Sequence, residues 1–316
     1  MNEKFSLRTC LRENSDLLRQ IALEHLKAYR RTRRWRVFYK LTFFAVVVLS
    51  FIFLWPTGES AGLLRAKPHV GLIDIRGQIF EGAPSSADHI AEALYNAYQD
   101  TGTRAIILRI NSPGGSAVQA DYIYNEIMRY RALHPKVKVY AVCTDVCASA
   151  AYYIAAAANE IYANPASLVG SIGVVYNGFG FVDLMKKVGV ERRLITAGEH
   201  KGFLDPFSPA SEEEAGLLKE ILDHVHKQFE NKVEQGRGAR LHKTPTLYSG
   251  LFWSGDQAKA LGLIDGFGSA GSVARDVIKT KQIVNYTIED SYFEKFAHEF
   301  GLGLSDAFLM KLNAIF

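Results

Sequence analysis

Three side chains with hydrolytic potential follow one another along the chain. Ser149 stands in Cys147-Ala148-Ser149-Ala150-Ala151-Tyr152-Tyr153, Ser171 in Gly170-Ser171-Ile172-Gly173, and Lys201 in Gly198-Glu199-His200-Lys201-Gly202. A serine hydroxyl becomes a nucleophile when a neighbouring base takes its proton, and a neutral lysine amine is one such base, so the pair predicts acyl transfer through a serine ester. An amine serves only after losing its own proton. Moving a lysine from about 10.4 to near neutrality costs roughly 4 to 5 kcal/mol of charged-state destabilisation, which burial has to supply. The segment Gly202-Phe203-Leu204-Asp205-Pro206-Phe207 is apolar enough to help. Taken singly, each residue has a plainer role: Ser149 a helix cap, Ser171 a turn hydroxyl, Lys201 a solvated loop lysine.

The flanking elements decide between these roles. A strand-length apolar run over 104–110 feeds Asn111-Ser112-Pro113-Gly114-Gly115-Ser116. Adjacent glycines after a proline allow backbone angles that aim the N–H of Gly114 or Gly115 into a site. A second strand over 137–143 then leads to Ser149 at the start of the helical run 150–158, whose first N–H groups lack helical partners. The Ala150 N–H is therefore a second donor for a developing oxyanion. Further along, strands are expected over 70–75, 160–163 and 193–196, and helices over 87–98, 118–133 and 212–235. Residues 248–255 read as a strand or turn before a short helix stopped at Gly262. The alternation is that of an α/β fold with right-handed crossovers.

Three blocks, Asn111-Ser112-Pro113-Gly114-Gly115, Ala148-Ser149-Ala150-Ala151-Tyr152-Tyr153-Ile154-Ala155 and Gly170-Ser171-Ile172-Gly173-Val174, with Lys201 downstream, resemble the signal peptide peptidase A group of membrane-bound serine proteases. The resemblance covers roughly residues 70–280. It implies a Clp protease/crotonase-like fold, a repeated ββα-type α/β domain preceded by one transmembrane helix. It also implies Ser149 as nucleophile, Lys201 as general base, Ser171 as the hydroxyl that orients the lysine, and Gly114 or Gly115 with Ala150 as the oxyanion hole. The family's usual Ser-Gly-Gly is here Ser149-Ala150-Ala151. A Clp-like protease would place a histidine base downstream of its serine, and 168–180 contains none. With one Ser-Pro-Gly-Gly block the chain is a single repeat. Short members of the family close into homo-oligomer rings, and Lys201 is then expected to reach a neighbour's Ser149.

The remaining composition bounds the rest. With 316 residues, net charge +4 and 48% apolar content, one globular domain plus an extra apolar segment is expected. That segment, 37–56, reaches the roughly 17 to 25 residues of a membrane span. Arg30, Arg31, Arg33, Arg34, Arg36 and Lys40 crowd its N-terminal side, which puts a basic tail, 1–36, in the cytoplasm and the catalytic domain outside the inner membrane. A cleaved signal peptide is the competing account. A linker, 57–69, precedes the protease domain, 70–280, and a C-terminal amphipathic tail, 281–316, carries Phe293, Phe296, Phe300, Leu304, Phe308 and Leu312. Residues 15–29 read as an amphipathic helix. Cys10, Cys143 and Cys147 lack the companions of a zinc site and are expected as free thiols, a Cys143–Cys147 disulfide being the alternative in an oxidising compartment. No cofactor motif and no nucleic-acid signature occurs. The expected activity is an anchored endopeptidase acting on apolar peptides such as remnant signal peptides. A catalytically silent scaffold and a crotonase-like acyl-CoA enzyme are the alternatives.

Overall fold

Apolar runs build the centre of one sheet. In the computed structural model, which describes residues 31, 33–50 and 67–288, β1 (His69–Arg76), β2 (Thr103–Ser112) and β3 (Lys138–Ala148) lie parallel with β2 in the middle. Their side chains alternate between two packed faces, as a strand period of two requires. Ile73, Ile75, Ile106, Leu108, Ile110, Val139 and Ala141 face the larger core, while Leu72, Ile107, Tyr140 and Val142 face a smaller one with Val273 and Ala274. The larger face is covered by α1 (Ala87–Gln99), α2 (Ala117–Leu133) and α3 (Ala150–Ala156).

β3 divides its pairing. Its first half, Tyr140–Cys143, pairs with β4 (Glu160–Ala163), and after an irregularity Val146–Ala148 pairs with β5 (Leu168–Gly170). That split carries the chain out to the nucleophile. After α4 (Val182–Val188) and the long α5 (Glu212–Arg237), β6 (Phe252–Ser254) joins β5 antiparallel, followed by α6 (Gly255–Ala260). β7 (Gly266–Phe267) pairs with β4, and β8 (Ile283–Asn285) with β1.

Several expectations change. No strand forms over 193–196; residues 190–196 are exposed and find no strand partner among the described residues. The α/β body runs past the expected boundary at 280, because β8 pairs with β1 and Tyr286 is buried in the core. Helix is described over 33–50, and among the described residues no helix is long and apolar enough to cross a membrane. Residues 51–56 of the expected anchor, the amphipathic stretch 15–29, Cys10, and 289–316 of the tail lie outside the described residues.

The end of α5 is stapled to the sheet. Arg237, fully buried, donates to both Asp265 carboxylate oxygens (2.8 and 3.0 Å) and to the Gly262 carbonyl (2.9 Å), while Asp265 also accepts from the Ile161 N–H (2.7 Å). Burial pushes the Asp265 carboxyl upward, but the Arg237 hydrogen bonds and the Arg237 and Arg240 charges outweigh it and hold the group below the ordinary carboxylate range. Its contribution is thus present above that range and fades as pH falls through the lowered folded value. Asp265→Asn strands a buried guanidinium and is expected to cost about 3–5 kcal/mol at neutral pH. Urea unfolding should show that loss at neutral pH and a smaller gap from wild type in acid; equal midpoints at neutral pH would refute the staple.

Candidate active site

Ser149 sits where β3 ends. Pairing of Ala148 with Gly170 sets it beside β5, and its N–H donates to the Gly170 carbonyl at 2.8 Å. Its backbone has φ 56° and ψ −126°, a region that residues with a Cβ rarely adopt and that surrounding contacts must enforce. Although it occupies the N-cap position of α3, its hydroxyl makes no capping bond. Ser116, Ser211 and Ser254 all cap their helices by accepting from the third residue onward. Capping therefore does not account for Ser149. Behind it α3 is buried at every position, with the Tyr152 hydroxyl donating to Leu263 O (2.8 Å) and Tyr153 to Asp121 (2.8 Å).

The glycine turn abuts this elbow. Ile79 N–H donates to Gly114 O (3.0 Å) and Ser116 N–H to Ile79 O (2.7 Å), locking the turn to the segment after β1. Gly114 has φ +107°, and a Cβ there would lie 2.7 Å from Ser149 Cβ and 2.8 Å from Ala148 O. Its own N–H is taken by Ser112 Oγ at 3.1 Å. Gly115 and Ala150, by contrast, both line the cavity into which Ser149 opens, so of the two glycines Gly115 is the better placed donor.

That cavity has a volume of about 1110 Å³, and its walls include Val118, Tyr122, Val174, Val225 and Phe229. Ser171 lines it too, held at φ 51° with its N–H donating to Leu251 O (2.8 Å). The carboxylate in its wall, Asp121, accepts from Tyr153, Lys232 and Asn125; burial pushes it upward but these bonds hold it below its ordinary range.

Lys201 is not brought there. It lies exposed on a turn, its N–H donating to Gly198 O (3.2 Å), outside the residues that line the cavity. The burial expected of it is not provided by the described residues of one chain, because the segment 190–201 is exposed throughout. The residue that sequence reasoning missed is His226, which enters the cavity wall from α5. Its spacing to Phe229 and Val233, the buried positions three and seven residues on, marks the inward face of α5 and is the signal that could have found it. Cys143 and Cys147 are buried free thiols beneath the elbow, and burial pushes the Cys147 thiol well up, away from reactivity.

Comparison with known proteins places these residues in a family. The sequence model for peptidase family S49 matches residues 131–284, and that for Clp protease matches 72–169; both include Ser149, and the former alone includes Lys201. A protease of Synechocystis sp. is 31% identical over 216 residues, 68% of this chain and 74% of that one. The chain belongs to peptidase family S49. The chloroplast serine protease SPPA of Arabidopsis thaliana is 31% identical over 233 residues, 71% of this chain and 34% of that one. The Na(+)/H(+) antiporter NhaA of Brucella melitensis biotype 1 is 43% identical over 226 residues, 69% of this S49 chain. The S49 chain spans only 31% of that antiporter's length. The resemblance to signal peptide peptidase A holds, and the mixed α/β body is the Clp-protease-like domain expected of it.

Proposed function

We propose that the chain is a membrane-anchored serine endopeptidase that clears apolar peptides, remnant signal peptides among them, through an acyl-enzyme on Ser149. The observation that carries this reading is the elbow itself: a serine in a strained conformation, relieved of capping, pressed against the Gly114-Gly115 turn and opening into an apolar-walled cavity. In this mechanism Ser149 Oγ attacks the scissile carbonyl, and the N–H groups of Gly115 and Ala150 receive the oxyanion. Lys201 is the base, its amine oriented by Ser171, and it protonates the leaving amine before water hydrolyses the ester.

Because Lys201 lies outside the cavity of its own chain, the base is supplied by a neighbouring copy in a ring. The run from Val175 to Ile195 supports such packing, with the apolar side chains of Val175, Phe179 and Ile195 exposed by 84%, 74% and 95%. Support for the anchor comes from the uncharged run 41–50, preceded by Arg31, Arg33, Arg34, Arg36 and Lys40 and by the mutually packed rings of Trp35, Phe38 and Tyr39. In this reading the positive-inside rule puts the N-terminus in the cytoplasm and the peptidase domain across the inner membrane. Treatment with a serine-reactive phosphonate followed by mass spectrometry tests the reading: one adduct, on Ser149, is expected. A chain that remains unlabelled under conditions that modify other serine proteases would instead be the silent scaffold.

A further inference from the structure

We propose that His226 is a positioning residue for the Ser171 loop, a role that rests on the Ser149 mechanism above. Its Nε2 lies 3.2 Å from the Ile172 carbonyl oxygen. A carbonyl only accepts, so Nε2 carries the hydrogen and donates it. A nitrogen engaged in this way cannot also take the proton of Ser149, and the histidine in the cavity wall is therefore a clamp at that atom, not the base. The same carbonyl accepts from Gly250 N–H at 3.1 Å, while Ser171 N–H donates to Leu251 O at 2.8 Å. Ser171 is thus pinned on both sides.

The pins matter because of the conformation they hold. Ser171 is a serine at φ 51°, on the left-handed side where a Cβ is disfavoured, and relaxation to negative φ would swing its hydroxyl away from where a lysine amine must be met. The clamp has a firm base. On α5, one turn past His226, Phe229 packs against the Tyr153 ring (4.9 Å between centroids), and the helix ends in the buried Arg237 staple. Glu230 lies 3.7 Å from the same Nε2 but is itself held by Lys227 at 2.7 Å. Through His226 the rigidity of α5 reaches the loop that carries Ser171.

The test uses the full-length chain with His226→Leu, which fills the space without a donor, and His226→Gln, whose amide still donates. For His226→Leu, kcat on an apolar fluorogenic peptide should fall about 10-fold to 100-fold with KM within about twofold, as misplacement of a catalytic group does. Hydrogen exchange in peptides covering 168–175 and 248–252 should quicken in the same variant. His226→Gln should restore both. Equal loss in the two variants with unchanged exchange would make the imidazole a proton carrier and overturn the clamp, as would full activity in both or a change confined to KM. Exchange separates this proposal from the reading beneath it. If wild type neither cleaves peptide nor takes phosphonate, yet exchange follows the donor, the hydrolase mechanism falls and the clamp stands; exchange blind to the donor sinks the clamp whatever the activity. Should His226→Leu fail to fold by thermal melting, His226→Asn, whose amide stops short of Ile172, replaces it.

Discussion

Ser149→Ala should take up no phosphonate and cleave peptides at least about 10⁴-fold more slowly than wild type, because removing the nucleophile removes the covalent route altogether. Its fold should survive, since the hydroxyl caps nothing and α3 is held by Tyr152 and Tyr153 further on. Lys201→Ala should be equally inactive although Lys201 lies on an exposed turn in the single chain. The pair of variants then separates two architectures. If each site draws Ser149 from one protomer and Lys201 from the next, co-assembled Ser149→Ala and Lys201→Ala chains regenerate some complete dyads; if both come from one chain, they regenerate none. Partial activity in verified mixed oligomers supports the shared site. Zero activity there assigns the dyad to one chain, and wild-type rates in either single variant would end the Ser-Lys mechanism.

The second large effect is expected at Gly114. An added methyl would stand 2.7 Å from Ser149 Cβ and 2.8 Å from Ala148 O, with φ at +107° where a Cβ is strained regardless of space. One of those atoms is backbone at the end of β3, so relief comes by displacing the elbow that presents the nucleophile. Gly114→Ala should therefore lower kcat/KM by about 10² to 10³, the scale of losing an oxyanion donor or shifting a reacting group by about an ångström. Stopped-flow acylation should locate the loss before the ester forms. Unaltered acylation in a folded Gly114→Ala chain would mean that the turn does not bear on Ser149 as the distances indicate.

Much of this site is written locally. The central strands were legible as apolar runs of strand length, and Ser149 emerged from the same reading because the strand, the turn and the helix around it each carry their own pattern. Ser149, Ser171, Gly115 and Ala150 meet in one cavity as the blocks imply. The short strands β5 to β8 were mostly invisible, since two or three residues carry no periodicity and pair only because a neighbour's backbone is offered. The expected strand at 193–196 failed for the converse reason, a fitting composition with no partner among the described residues.

What tertiary structure decided lies at the ends of long-range contacts. No composition rule predicts a serine at positive φ, and both Ser149 and Ser171 are held there by bonds to Gly170 and Leu251. His226 reached the cavity through the packing of α5, and Lys201 was left outside it because no element among the described residues covers that turn. Sequence determined which chemical groups are present and the local elements that carry them. Burial, strain and proximity are set by what packs against each group, and those neighbours come from distant parts of the chain.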